Sequence, residues 1–562
     1  MATPHELSDM RVLVVDDNQD VADSLADVLR LELGCSVFTA YDGQTALRRA
    51  MACRPHAIVL DIGMPHMGGL EVARVFRLSR SSEAPPLLLA VTGRADVVGD
   101  LEAIDSSFDR AFAKPLNLDD LVATLRRHWD GQPVHAERTR FELAELFTRA
   151  VREVMPAVLA KRESASFDYS GPSLVLNADA IALHSAFYRL LYGLVDVMGA
   201  GFTLFAARAT PQPDGDYLVE VNAAGAADLV SPSCTDDVLA RLGLTDEPRQ
   251  QGDPPAVRRA SGPCPNCGGR VTFSSLPSEG VLFRLQLRCQ PVEVRNESAD
   301  AGGARVWIVS TRDVPAALLK RRFQRSGWRV QRVADCAAAA AKLASGPPHL
   351  VVVLEGDGSS AAEARALHAS LPRSTPCILV VTAGSQTLSG AIGPGDCEVR
   401  IDPLSPGEMR ELTRRASEHG ESNRDGPSTA SRGLNDRPRV LIVDDNEVNR
   451  IVASGLVQAL GYEVSTVSDG LDAIERCKTA PPDLVLMDVN MPVLNGIDAT
   501  RRIRALQRLG RIAPFAIVAT TAASDPDTAD RCLAAGMDGF LSKPLHLNLL
   551  QQELRRVTAV RS

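Results

Sequence analysis

Positive charge is in short supply in this chain. Its 61 Lys and Arg are outnumbered by 70 Asp and Glu, which leaves a formal net charge of −9 and a pI near 5.7. That balance argues against a nucleic-acid-binding surface, and no DNA-binding helix-turn-helix or recognisable second-messenger enzyme stands in the sequence. Long hydrophobic runs are missing too: no stretch reaches the roughly 18 apolar residues of a spanning helix, and Met1–Asp9 has no signal-peptide pattern. The protein is therefore expected to be cytoplasmic, with no membrane partner. The eleven cysteines form no disulfide framework; scattered through strand- and helix-like stretches, as at Cys53, Cys336, Cys477 and Cys532, they are expected to be reduced thiols.

What is present is a set of residues that occurs twice. Asp16, Asp17, Asp61, Thr92 and Lys114 lie near one end, and Asp444, Asp445, Asp488, Thr521 and Lys543 near the other. The second acid precedes the lone Asp by 44 residues in the first copy and 43 in the second, and Thr precedes Lys by 22 in both. Each acid ends an apolar run, such as Arg11-Val-Leu-Val-Val before Asp16 or Ala57-Ile-Val-Leu before Asp61. Runs of this kind alternating with helical stretches read as parallel strands buried on both faces. In such sheets ligands sit at the carboxyl ends of the strands, so each set is expected to gather at one edge of its own sheet.

Three carboxylates in one pocket repel one another and resist desolvation, and a hard divalent cation with oxygen ligands compensates them. Mg²⁺ suits the site because it keeps positions free for phosphate oxygens. The lone Asp at its strand tip can then act as a carboxylate nucleophile toward a phosphoryl group. Lys114 or Lys543 would neutralise the transferred charge, and Thr92 or Thr521 would hydrogen-bond the group afterwards. Lys114-Pro115 and Lys543-Pro544 read as rigid turns, compatible with a cis peptide.

Val15-Asp-Asp-Asn, Leu60-Asp-Ile-Gly-Met-Pro, Val91-Thr-Gly and Ala113-Lys-Pro, with Val443-Asp-Asp-Asn, Met487-Asp-Val-Asn-Met-Pro, Thr520-Thr-Ala and Ser542-Lys-Pro, resemble the receiver domains of two-component response regulators. The resemblance covers roughly 9–130 and 437–562. It implies that Asp61 and Asp488 are phosphoacceptors fed by a histidine phosphate. It also implies a metal shell of Asp16, Asp17, Asp61 and the Gly63 carbonyl in one copy, and of Asp444, Asp445, Asp488 and the Asn490 carbonyl in the other. Receivers usually carry an aromatic switch residue three before the Lys. Phe540 fits, whereas the first copy has Ala111 there and Phe112 one step later, which puts its switching in question.

Two further segments resemble signalling domains without their chemistry. In 303–416, Arg305-Val-Trp-Ile-Val ends in Ser310-Thr311 where receivers have the acid pair, His349-Leu-Val-Val-Val-Leu ends in Glu355, Cys377-Ile-Leu-Val-Val ends in Thr382, and Asp402-Pro403 replaces Lys-Pro. This resembles a pseudo-receiver; an alternative alignment through Pro348 puts Leu354 at the acceptor position. In 135–295, a helix from Phe141 to about Lys161, a strand near 166–170, a helix from Asp179 through Val197, and the strands Tyr217–Asn222, Gly268–Ser274 and Gly280–Leu287 follow the order of the ATP-binding domain of sensor histidine kinases. Where that family has its metal-binding Asn the chain has Gly193, and where it has the adenine-reading Asp the chain has Asn222. No histidine phosphorylation box stands upstream: His128 and His135 lack its context. ATP binding and autophosphorylation are expected to be lost, and an unrelated α+β dimerisation domain is the alternative. Cys264-Pro-Asn-Cys267 is half a zinc knuckle that Cys234 and Cys289 could complete, against a plain reduced pair. Residues 245–262 read as a polar loop and 417–438 as a flexible tether.

The expected fold is α/β: repeated flavodoxin-like (βα)5 receiver domains plus an α/β sandwich resembling a histidine kinase ATP-binding domain. The expected domains are 9–130 (receiver), 135–295 (degenerate ATPase-like), 303–416 (pseudo-receiver), 417–438 (linker) and 439–562 (receiver). The expected function is phosphorelay signalling with Mg²⁺ and output by protein–protein interaction. The partner would be a sensor histidine kinase or a histidine phosphotransfer protein, with a second copy of the chain left open. The alternatives are a hybrid histidine kinase that binds ATP through an atypical pocket and a phosphate sink.

Overall fold

The computed structural model describes residues 7–559 apart from 66, 79–85, 93–107, 115, 130–137, 162–163, 200, 228–231, 249–256, 265–266, 277–279, 296–299, 357–359, 373–374, 384, 386–396, 421–437 and 523–525. His135, the Lys114–Pro115 peptide and most of the expected tether fall outside the described residues.

Three five-stranded parallel sheets share the spatial order 2-1-3-4-5. The first is built from Arg11–Val15, Ser36–Ala40, Ala57–Asp61, Leu87–Thr92 and Arg110–Ala113. The second comprises Arg305–Val309, Arg329–Val333, Leu350–Leu354, Cys377–Thr382 and Glu398–Asp402. The third comprises Arg439–Val443, Glu463–Val467, Leu484–Asp488, Ala516–Thr521 and Gly539–Ser542. Their central strands are buried on both faces, which is why they are apolar without alternation. The connecting helices start where a short polar side chain satisfies free backbone N–H groups. Asn18 accepts from Asp20 and Val21, Asp42 from Thr45, and Asp469 from Leu471 and Asp472.

Residues 139–295 form a different unit. A seven-stranded mixed sheet has the helices Leu143–Ala160 and Ala180–Val197 on one face, over a core that includes Phe147, Phe187, Phe205 and Phe283. A three-stranded sheet of Thr139–Glu142, Ser173–Ala178 and Glu293–Arg295 closes the edge.

Several expectations change. The supposed loop 245–262 contains the strands Thr245–Asp246 and Arg258–Pro263, which pair with each other and extend the sheet; its polar residues lie on an edge that needs no apolar face. The pseudo-receiver domain expected to end at 416 closes with a helix, Pro406–Gly420, that runs into the expected tether. In the second parallel sheet Ser310 takes the place of Asp16, since the N–H of each binds the end of the neighbouring strand. Val309 lies opposite Val353 as Val15 lies opposite Leu60, so Leu354, not Glu355, occupies the acceptor position. The same register puts Val381, not Thr382, at the Thr position and Asp402 at the Lys position. The Asp402–Pro403 and Lys543–Pro544 peptides are both cis.

No described helix is long and apolar enough to cross a membrane.

Candidate functional site

The carboxyl edges of the first and last parallel sheets gather the repeated residues. Asp16 and Asp444 follow the first strand, Asp61 and Asp488 end the third, Thr92 and Thr521 end the fourth, and Lys114 and Lys543 follow the fifth. In each copy the three acids offer oxygen atoms within 4.8 Å of one another, with two acids buried and Asp17 or Asp445 exposed. Three oxygen donors at that spacing can surround a hard cation.

Among the described residues a lysine ammonium reaches into each cluster. Lys114 Nζ donates to Asp16 at 2.8 Å and Asp61 at 3.1 Å; Lys543 Nζ lies 2.7 Å from Asp444 and 2.9 Å from Asp488. Backbone N–H groups supplement it: Gly63 donates to Asp61 Oδ1, Asn490 to Asp488 Oδ1, and Asn18 and Asn446 to Asp16 and Asp444. The lysine N–H donates to the Thr92 or Thr521 carbonyl at 2.7 and 2.8 Å, which fixes the Thr beside the acids.

The two clusters differ in depth. Lys114 is about one-third exposed, whereas Lys543 is almost fully buried. Partial burial pulls the Lys114 ammonium down, and its hydrogen bonds to Asp16 and Asp61 outweigh that, so it titrates above its ordinary value. Burial pushes the Asp488 carboxyl up to about 7; Lys543 opposes that rise and Asp444 adds to it. Sequence reading missed Asn449, whose side-chain amide donates to both oxygens of Asp444 at 3.2 Å. Its only sequence signal is a polar residue on the buried side of the helix Glu447–Ala459.

Phe540 is half exposed, as an outward-facing ring on the fifth strand, while Phe112 is buried in the first sheet's core with the Arg110 guanidinium 5.0 Å from its ring centre. Ala111 is buried on the opposite face. Among the described residues the second parallel sheet has no acidic trio.

A family model described as the response regulator receiver domain matches residues 12–126 and 440–555. Both ends of the chain are response regulator receiver domains. Sensor histidine kinase RcsC of Salmonella typhimurium is 41% identical over 120 residues, covering 21% of this chain and 12% of the relative. RcsC of Escherichia coli K12 is 24% identical over 500 residues, covering 85% of this chain and 49% of its own. The chain thus spans about half, or less, of the curated relatives it matches. Among solved structures, the receiver domain of the sensor histidine kinase PA1611 from Pseudomonas aeruginosa, with magnesium in its active-site cleft, is 37% identical, covers 22% of this chain and 98% of its own, and has a TM-score of 0.20. The receivers are flavodoxin-like parallel sheets, and phosphorelay signalling is the class of activity to which they belong.

In the middle unit Gly193 faces the helix Pro232–Arg241. A Cβ there would lie 3.0 Å from Val238 and 3.8 Å from Leu242. Asn222 is on the sheet face away from the two long helices, where its side chain accepts from Arg284 at 2.9 Å. Its neighbours Val221 and Ala223 point to the helices instead. Cys264 and Cys267 are hydrogen-bonded to each other, which together with burial raises the Cys267 thiol. Among the described residues Cys234 and Cys289 do not join them in a metal-sized cluster.

Proposed function

We propose that the chain is a phosphorelay protein whose receivers accept phosphoryl groups on Asp61 and Asp488 from a histidine phosphate, with output through protein contacts. The observation that carries this reading is the duplicated trio of carboxylates at one sheet edge with a lysine reaching between two of them. The lone Asp oxygen attacks phosphorus, the P–O bond forms as the P–N bond to histidine breaks, and the histidine nitrogen leaves with the bonding pair and takes a proton. Asp16, Asp17, Asp61 and the Gly63 carbonyl, or Asp444, Asp445, Asp488 and the Asn490 carbonyl, would hold Mg²⁺, which when bound would supply the positive charge that lets phosphoryl oxygens approach three acids. Lys114 and Lys543 pair with the phosphoryl group, and Thr92 and Thr521 donate a hydroxyl to it. The partner is a sensor histidine kinase or a histidine phosphotransfer protein.

Labelling with acetyl phosphate should fall in part in Asp61→Asn and in Asp488→Asn and drop to background, at least a hundredfold, in the double variant. Wild-type labelling of the double variant would refute the assignment.

The competing reading, a hybrid histidine kinase with working ATP binding, draws on the likeness to E. coli RcsC across most of the chain. Against it, Gly193 offers no oxygen ligand and the helix Pro232–Arg241 packs directly over it, and the residue on the helix-facing side of the strand beside Asn222 is Ala223. We infer a nucleotide-free middle domain and a second sheet without phosphoacceptor chemistry. Calorimetric titration of the full chain with ATP and Mg²⁺ should show no binding tighter than millimolar; a micromolar dissociation constant, about −8 kcal/mol, would restore the kinase reading.

A further inference from the structure

The two receivers present the same surface in opposite states. Counted back from the positive-φ glycines just beyond each helix, Gly34 and Gly461, Val21, Leu25 and Val28 of the first receiver correspond to Val448, Val452 and Gly455 of the last. Val21 is 42% exposed, and with Leu25 and Val28 it borders an open apolar groove of about 350 Å³ that reaches Asp61 and Lys114. In the last receiver Val448 and Val452 are 2% and 3% exposed. They lie in one apolar cluster with Phe202, Leu204 and Leu282 of the middle domain's sheet. A Cβ on Gly455 would stand 3.1 Å from Leu204 and 3.3 Å from Phe202, so glycine is what lets the helix lie flat against the strands.

Beside this contact Arg284 reaches from the sheet to Glu447, two residues after Asp445, at 2.8 Å. Above Asp488 remains a cleft of about 560 Å³ between the two domains, lined by Arg259, Thr272 and Arg284 on one side and by Asp445, Asp488 and Lys543 on the other. A helix with its side chains is about 10–12 Å across and, to lie along Glu447–Ala459 beside Asp488, would need the place that Phe202, Leu204 and Leu282 occupy, whereas an acyl phosphate of a few heavy atoms needs only the cleft.

We propose that the middle domain's sheet decides which class of phosphodonor each receiver takes: docked on the last receiver, it admits small acyl phosphates to Asp488 and excludes a histidine carried on a protein, while Asp61 stays open to both. The inference rests on the phosphoacceptor reading above. Apolar contact supplies the docking energy, because the Arg284–Glu447 pair is half exposed on the Glu side and such pairs contribute little. Release of the sheet is therefore the step that opens the last receiver to a protein donor.

The test uses the full chain in an Asp61→Asn background, with and without Gly455→Arg, a wedge at a helix position where the first receiver carries Val28. Each is offered acetyl phosphate and, separately, a histidine-phosphorylated transfer protein chosen because it labels Asp61 of the Asp488→Asn chain. Acetyl phosphate should label Asp488 at rates within about threefold in both, whereas the protein donor should label the wedge variant at least tenfold faster. Hydrogen exchange of 447–459 and 280–289 reports whether the wedge has separated the domains, and Phe202→Asp provides the same separation from the other side. Equal labelling by the protein donor in docked and separated chains overturns the inference and leaves the phosphoacceptor reading intact. Absence of labelling by either donor in every variant overturns the reading of Asp488 as a phosphoacceptor.

Discussion

In the absence of divalent cations, Lys543→Ala should destabilise the last receiver by about 3–5 kcal/mol at pH 8, the usual cost of removing one partner from a buried charge cluster. Lys543 lies within 3 Å of both Asp444 and Asp488, all three almost fully buried, so its loss leaves two carboxylates facing each other. The loss should shrink markedly at pH 5. Asp488 has its folded-state value raised from the ordinary 3.8 to about 7. A carboxyl raised on folding makes its full stabilising contribution below the unfolded value, and that contribution is lost as pH climbs between about 4 and 7. Protonated Asp488 needs no counter-charge. Adding millimolar Mg²⁺, or Asp488→Asn, should each recover most of the stability. Urea unfolding of the last receiver at the two pH values is the measurement, and a loss that is the same at both would show that Lys543 acts through packing alone.

Phe147→Ala should cost the middle domain about 3–5 kcal/mol, the range for an aromatic removed from a close-packed core. The ring is fully buried, stacked on Phe167 at 5.7 Å and edge-on to Phe187 at 5.7 Å, so truncation removes the contacts of its own helix with the second long helix and with the sheet at once. Limited proteolysis should cut within 139–295 far sooner than in the parent chain. Uptake of phosphate at Asp61 should not change, because the first receiver buries its own two apolar layers, one on each face of its sheet. A matching fall at Asp61 would mean that the first receiver depends on the middle domain for its fold.

The parallel sheets and their acid clusters were legible in the sequence because a strand buried on both faces is a short, unbroken apolar run, and the polar residue that ends it is conspicuous. Where the reading went astray, it slipped by one residue. Glu355 was placed where Leu354 stands, and Thr382 where Val381 stands. Side chains alternate along a strand, so a slip of one reverses the face, and only pairing with the neighbouring strand fixes it. The strand Arg258–Pro263, next to the sheet edge, was invisible for a related reason: flanked by Pro- and Gly-rich sequence and half wet, it lacks an apolar signature. Nothing local announces that Gly455 or Val448 meets a sheet more than 150 residues upstream, since an amphipathic helix reads the same whatever covers it.

The seam between the middle domain and the second parallel sheet has a practical consequence. Arg152 donates to the carbonyls of Ile401 and Pro403, on either side of Asp402, and to Glu408 at 2.6 Å; Glu145 accepts from the Gly407 N–H, and Arg325 from the far side grips Asp168 at 2.6 Å. Arg322 is half-buried with its guanidinium 5.1 Å from the Phe167 ring centre, and desolvation brings it down to about 10 even with Asp168, Asp402 and Glu408 around it. Severing the chain between the two at about residue 300 would strand these cations and carboxylates without partners. Calorimetry of the intact chain should therefore resolve residues 139–420 as one melting unit, and expression of either half alone should yield insoluble protein.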